Sequence, residues 1–165
     1  MTKFVIGTAT NSHFFLQTQQ MLYSLHCLIP DGFDVMIFDN GLTTREWAIL
    51  QSNFGFCNKR IFKKELTSWE RKSYYFKTHS HQMALENYKD HIYIWLDSKT
   101  NLKYNHTQLE ELLERQPVYG HNPFNQAEEL WTDERTMSLM ALNEEDRLSH
   151  QIQASAMLFD LRNLE

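Results

Sequence analysis

Five glycines and three prolines are few for 165 residues. No G-x-G-x-x-G run occurs among them, which excludes the glycine-rich phosphate loop of a dinucleotide-binding or flavin-binding module. Cysteine is equally scarce. Cys27 and Cys57 stand far apart and form no C-x-x-C pair, so a zinc knuckle or redox dithiol has no basis, and a reducing compartment suits the chain. Positive charge is in the minority, with 16 Lys and Arg against 21 Asp and Glu and a net charge of -5. Phosphate-backbone affinity needs a clustered basic face, and its absence argues against a general nucleic-acid binder. Long apolar runs are missing too: Phe4-Val5-Ile6 is too short for a signal segment, and no stretch is long enough to span a bilayer. The expected location is the cytoplasm, unless the chain is a lumenal domain cut from its anchor. The sequon Asn105-His106-Thr107 would matter only on a secretory route.

What remains is a globular composition: 42% hydrophobic, 22% charged and 13% aromatic residues, enough for one buried core with aromatic side chains to spare as platforms for flat ligands. No fixed-period repeat or low-complexity segment appears. The run from Lys3 to Thr8 (KFVIGT) predicts a strand buried on both faces. Apolar residues from Ser12 to Leu28, among them Phe15, Leu16, Leu22, Tyr23 and Leu25, recur at helical spacing until Pro30-Asp31-Gly32. Phe33 to Phe38 predicts a second strand, and Asp39-Asn40-Gly41 a turn. A helix follows, capped by Thr43 or Thr44. Asn58 to Phe62 reads as a weaker strand, Ser73 to Tyr88 as a helix, and His91 to Leu96 as the strongest strand.

This β-α-β-α-β-α-β order implies a mostly parallel twisted sheet with helices on both faces. Further on, the sequence predicts a helix at Thr107 to Arg115 capped by Thr107, a short strand at Pro117 to Tyr119, a helix at Ala127 to Leu142 and a strand at Ala154 to Leu161. The last residues read as the start of another helix, so the fold is expected to be incomplete at its carboxyl end.

Ligands of an open parallel sheet bind at the carboxyl ends of the strands. Those ends read Thr8-Ala9-Thr10-Asn11-Ser12, Asp39-Asn40-Gly41 and Asp97-Ser98-Lys99, all small, polar or charged. Lys77 and His81, four apart near the start of a crossover helix, share a face that Ala84, Leu85 and Tyr88 continue toward the core, so Lys77 should overhang the crevice. An ammonium there suits a diphosphate; a snorkelling surface lysine is the plainer alternative. His79 and His81 are two apart and fall on different helical faces, which speaks against a metal pair. An aspartyl phosphatase would need a second acid two positions after Asp39, where Gly41 stands.

The segments FVIGTATNSHFF, DVMIFDNGLT and YYFKTHSHQMALENYKDHIYIWLDSKTNL, in that order, resemble the GT-A-like nucleotide-diphospho-sugar transferases, in particular branches with a "V.TA..NHF", "YD.GL" and "W.DS" pattern. The resemblance covers residues 3 to 125, and HNPFNQAEEL and HQIQASAMLFD are similar to the later region of that family. It implies one GT-A-like domain, with a nucleotide-binding half at 1–100 and part of the sugar and acceptor half at 101–165. It also implies sugar transfer from a nucleotide-diphosphate donor, a UDP-sugar being favoured, to a glycan, lipid or protein acceptor. Thr8, Ala9, Thr10 and Asn11 would lie near the base, Asp39 near base or ribose, and Lys77 with His81 near the phosphates.

Asp97 falls on the first acid of the family's D-x-D metal motif, which holds Mn2+ or Mg2+ on the diphosphate. Lys99 replaces the second acid, so metal-independent action is the other expectation. Asp97 and Lys99 are then the catalytic candidates, with Lys99 bringing the positive charge a metal would bring. In the duller alternative Asp97 caps the following turn and Lys99 is merely solvent-exposed. His121, Gln151 and Gln153 fall where related enzymes meet donor sugar or acceptor, although the two glutamines could simply satisfy backbone at a strand entrance. A non-catalytic domain of the same fold is the competing functional reading.

Overall fold

The computed structural model describes residues 2–30, 32–54, 61–69, 76–115, 117–121 and 153–163, together with 135, 138 and 144; residues 61, 62, 121, 153 and 154 are described by backbone alone. The chain divides into two compact units, Met1–Tyr119 with Ser155–Glu165, and Gly120–Ala154. In the second unit Arg135, Ser138 and Glu144 are helical and exposed, the first two within the helix expected at Ala127 to Leu142.

The elements in chain order are β1 (Lys3–Thr10), a 3-10 turn (Ser12–Phe14), α1 (Phe15–Leu28), β2 (Asp34–Asp39), α2 (Thr44–Phe54), β3 (Ile61–Glu65), α3 (Phe76–Asn87), β4 (His91–Leu96), α4 (His106–Arg115), β5 (Val118–His121) and β6 (Gln153–Asp160). The strands form one sheet in the order β3-β2-β1-β4-β6-β5. β1 runs parallel to β2 and β4, and β2 runs parallel to β3. β6 is antiparallel to β4, with Leu96 opposite Ala156. The mostly parallel sheet is thus as the sequence implies, with β6 in the opposite sense. Strand order runs outward from β1 to β3 and then returns to β4, which puts the topological switch between β1 and β4.

Strand side chains alternate strictly between two cores. Phe4, Ile6, Val35, Ile37, Ile92, Ile94, Leu96 and Leu158 face one side, against Met21, Leu22 and Leu25 of α1, Leu50 and Phe54 of α2, and Leu109 and Leu113 of α4. Val5, Met36, Phe38, Tyr93 and Trp95 face the other, against Phe76 and Ala84 of α3. Helices cover both faces, and burial of this kind contributes roughly 1.5–3 kcal/mol for each large apolar side chain.

Several expectations shift. β1 continues to Thr10, beyond Thr8. Leu16 and Tyr23 are exposed on α1, which buries Thr18 and Met21 along with Leu22 and Leu25. The helix cap at Thr43 is a reciprocal pair: the Thr43 amide donates to Glu46 Oε2 at 2.8 Å and the Glu46 amide to Thr43 Oγ1 at 3.2 Å. α4 is capped the same way by Asn105 with Gln108 at 3.0 Å each way, so the cap lies two residues before Thr107. The third strand is described from Ile61 and extends to Glu65. On α3 the buried stripe is Phe76, Ser80 and Ala84 while Leu85 is exposed, which leaves Lys77 and His81 half-buried beside the stripe. No helix among the described residues is long and apolar enough to cross a membrane.

Candidate functional site

The carboxyl ends of the central strands enclose a hollow of about 340 Å³, lined by Ala9, Thr10, Asn11, Phe14, Asn40, Phe76, Lys77, Asp97, Ser98 and Lys99. Its walls come from the ends of β1, β2 and β4, the 3-10 turn and the first turn of α3, which is the switch-point crevice the topology leaves open. Two aromatic faces, Phe14 and Phe76, stand beside amide side chains and two lysines around one carboxylate.

Each wall is held by local chemistry. Asn11 ends β1 and caps the 3-10 turn, its Oδ1 accepting from the Phe14 amide at 3.1 Å, so its amide NH2 remains the group able to donate to a ligand. Thr10 turns its hydroxyl to Thr18 at 2.6 Å. The turn after β2 is organised by Asp39, whose Oδ1 accepts from the Gly41 amide at 2.8 Å and the Leu42 amide at 2.6 Å. Its Oδ2 pairs with Lys63 of β3 at 3.0 Å. Gly41 has φ +117°, a conformation that favours glycine. Burial raises the Asp39 pKa, but hydrogen bonds from Leu42, Lys63 and Gly41 together outweigh it and hold the carboxyl below its ordinary value. The neighbour that reaches the hollow is Asn40, its backbone amide fixed on the Thr10 carbonyl at 2.8 Å.

After β4, Asp97 is anchored by its backbone, its amide donating to the Ser155 carbonyl at 2.8 Å and its carbonyl accepting from the Thr100 amide at 2.7 Å. Asp97 Oδ1 accepts from the Trp95 indole at 3.1 Å and pairs with Lys77 Nζ at 3.0 Å. Lys77 also lies over the Trp95 ring, 5.7 Å from its centroid. The Asp97 carboxylate therefore does not cap the following turn. Lys99 is exposed at the rim.

Of the residues singled out from sequence, the fold gathers Ala9, Thr10, Asn11, Lys77, Asp97 and Lys99 around the hollow. Thr8 is fully buried on the α1 side of β1, two residues before Thr10 on the same face. Asp39 lies just behind the wall with its oxygens engaged as described. His81 packs between Tyr93, Trp95 and Phe159, its Nδ1 3.0 Å from the Tyr93 hydroxyl. Burial, then the charge of Lys77, pushes its pKa down to about 4, so the ring is neutral at pH 7. His121 and Gln153 sit in β5 and β6 as backbone, and Gln151 lies outside the described residues. The sequence offers Asn40 and Ser98 only as members of the polar strand ends, without a role of their own, and gives Phe14 and Phe76 no site role. The available signal was adjacency, since Asn40 directly follows the end of β2 and Phe14 and Phe76 open the segments that leave the crevice.

The divalent cation implied by a D-x-D motif has little to bind here. Mn2+ and Mg2+ require several oxygen ligands, whereas among the described residues Asp97 is the one carboxylate lining the hollow, already paired with an ammonium and flanked by Lys99. Among the described residues no group of three His, Cys, Asp or Glu side chains could hold a metal ion. These residues do not fit the metal.

No protein-family model matches the sequence, and neither does any curated protein. Solved structures do match. The bifunctional glycosyltransferase WbbM in its apo form aligns over 98% of this chain and 32% of its own, at 10% identity and a TM-score of 0.63. The galactosyltransferase LgtC, in complex with donor and acceptor sugar analogues, aligns over 96% and 58%, at 13% identity and a TM-score of 0.62. The mannosyltransferase PcManGT from Pyrobaculum calidifontis, in complex with GDP-Man and Mn2+, aligns over 96% and 44%, at 11% identity and a TM-score of 0.57. The chain has the GT-A fold of these transferases and spans between about a third and three fifths of their length.

Proposed function

We propose that the hollow binds the nucleotide-diphosphate part of a sugar donor, a UDP-sugar being favoured, and that the protein acts as a glycosyltransferase. The observation that carries this reading is the convergence of Asn11, Asn40, Lys77, Asp97 and Lys99, from four separate stretches of chain, on one crevice at the switch point of a GT-A sheet. The amides of Asn11 and Asn40 offer donors, and Asn40 an acceptor, of the kind that read a base edge or a ribose. Phe14 and Phe76 offer apolar faces for the base, and the lysines offer charge for the phosphates. Residues 1–100 then form the nucleotide half. His121, Gln151 and Gln153 belong to the stretch from which sugar and acceptor contacts are proposed, the acceptor being a glycan, lipid or protein. The exposed free thiol of Cys27 suits a reducing compartment, and we read the protein as cytoplasmic.

Calorimetry with UDP-, GDP- and CMP-sugars tests the reading. The UDP- or the GDP-sugars should bind, with CMP-sugars, which carry no diphosphate, as the contrast, and Asn40→Ala should weaken the binding about tenfold, the equivalent of one good hydrogen bond. Silence toward both diphosphate classes removes the proposal. The pairing of Asp97 with Lys77 favours one alternative, a domain of this fold that binds the donor without turning it over. Release of free sugar or its transfer to an added glycan excludes that alternative.

A further inference from the structure

We propose that the Lys77 ammonium, held in place by Asp97 and Trp95, is the cation that meets the diphosphate, and that the hollow binds a nucleoside diphosphate without a divalent metal. This rests on the reading of the hollow as a nucleotide-sugar site. It moves the charge-bearing role from Lys99, two residues beyond Asp97, to a lysine on a different element of the fold.

Lys77 of α3 pairs with Asp97 at 3.0 Å. Among the described residues lining the hollow, Asp97 is the one carboxylate, and Lys77 and Lys99 place two ammonium groups beside it. Such a lining suits a diphosphate and offers a divalent cation few oxygen ligands.

The ammonium is also unusually well fixed for a long side chain. Trp95 is fully buried, its indole N–H orients the Asp97 carboxylate and its ring underlies Lys77. Asp97 itself is tied by its amide to Ser155. Immobilising a lysine before the ligand arrives removes part of the entropy cost of binding. In this arrangement Asp97 is a positioning residue rather than a metal ligand.

The test is calorimetry of the full chain with UDP and GDP as probes, in excess EDTA and in excess MnCl2, with uridine and guanosine as phosphate-free controls. For the diphosphate that binds better, Kd should agree within about twofold between EDTA and MnCl2. Lys77→Met should weaken that diphosphate at least about tenfold in both buffers while leaving the matching nucleoside within about twofold, a split that a general loss of structure would not give. Lys77→Arg should keep most of the affinity, and Lys99→Met should cost less than Lys77→Met. Binding seen only with MnCl2, or MnCl2 restoring Lys77→Met, overturns the proposal and leaves the nucleotide-sugar reading standing. No binding of either diphosphate in either buffer overturns both. Should Lys77→Met not fold, the comparison of EDTA with MnCl2 on the unmodified protein decides the matter alone.

Discussion

A Cβ placed on Gly7 would lie 2.7 Å from the Tyr93 hydroxyl and 2.9 Å from its ring. β1 and β4 pair in parallel here, and Ser80 of α3 descends onto the bare backbone of Gly7 to hydrogen-bond Tyr93 at 2.8 Å. The Tyr93 ring is almost wholly buried and stacked on Phe159, so it cannot swing aside. Gly7→Ala should therefore destabilise the protein by about 1–3 kcal/mol, the usual cost of overpacking, as measured by urea unfolding. A stability unchanged within error would mean that α3 can lift from the sheet at little cost.

Asp39 and Lys63 carry a second prediction. The Asp39 carboxylate satisfies two turn amides and one ammonium, so Asp39→Ala should cost about 1–3 kcal/mol by stranding those donors, and Asp39→Asn, which keeps an oxygen acceptor, should cost less. Because the folded pKa lies below the ordinary value of 3.8, the stabilisation is present above that value and is lost as pH falls through the folded pKa. The difference in unfolding free energy between wild type and Asp39→Ala should accordingly shrink below about pH 4. A difference that persists undiminished into stronger acid would show that the effect is one of packing, not of charge.

His81 gives a pH signature of the opposite sense. Its pKa is depressed from 6.5 to about 4, so between those values the unfolded chain binds the proton that the folded chain refuses. Stability therefore declines as pH falls from 6.5 toward 4. With a ring still partly solvated, the loss should be on the order of 1–2 kcal/mol. Urea titrations of wild type and His81→Gln at pH 7 and pH 4.5 should differ by this amount in their pH dependence. Parallel curves would place the His81 proton elsewhere.

The sequence made the sheet readable where a strand is bounded by charge and turn residues on both sides. His91 to Leu96, hemmed by Lys89-Asp90 and Asp97, has in the fold the limits its pattern implies. β3 runs on past Phe62 to Glu65, where the pattern stops short because Lys63 and Lys64 look like loop residues until Lys63 is seen against Asp39 and over the Trp47 ring, contacts made across long sequence separations that no local pattern encodes. The same reason explains Asp39 itself: a carboxylate at a strand end suggests a ligand contact, and only the placement of Gly41, Leu42 and Lys63 reveals that its oxygens are already engaged. Ala84 of α3 and Tyr88 just beyond it pack inward as the pattern implies while Leu85 is exposed, a difference the pattern hides because Lys77, His81 and Leu85 form as regular a row as Phe76, Ser80 and Ala84. The decisive fact, that Gly7 opposite leaves room for Ser80, lies some seventy residues away. Helix direction alone brings Lys77 to the crevice, whereas its pairing with Asp97 joins residues twenty positions apart on different elements.

The neighbour of β4 on its outer side is β6, and the Asp97 amide hangs on the carbonyl of Ser155. During synthesis, β1 through β4 emerge while the stretch that clamps the Asp97 loop has yet to be translated. A nascent chain stalled before residue 155 would thus expose an unpaired edge on β4, the kind of edge that recruits foreign strands. The crevice takes its final form only when the closing strand is delivered.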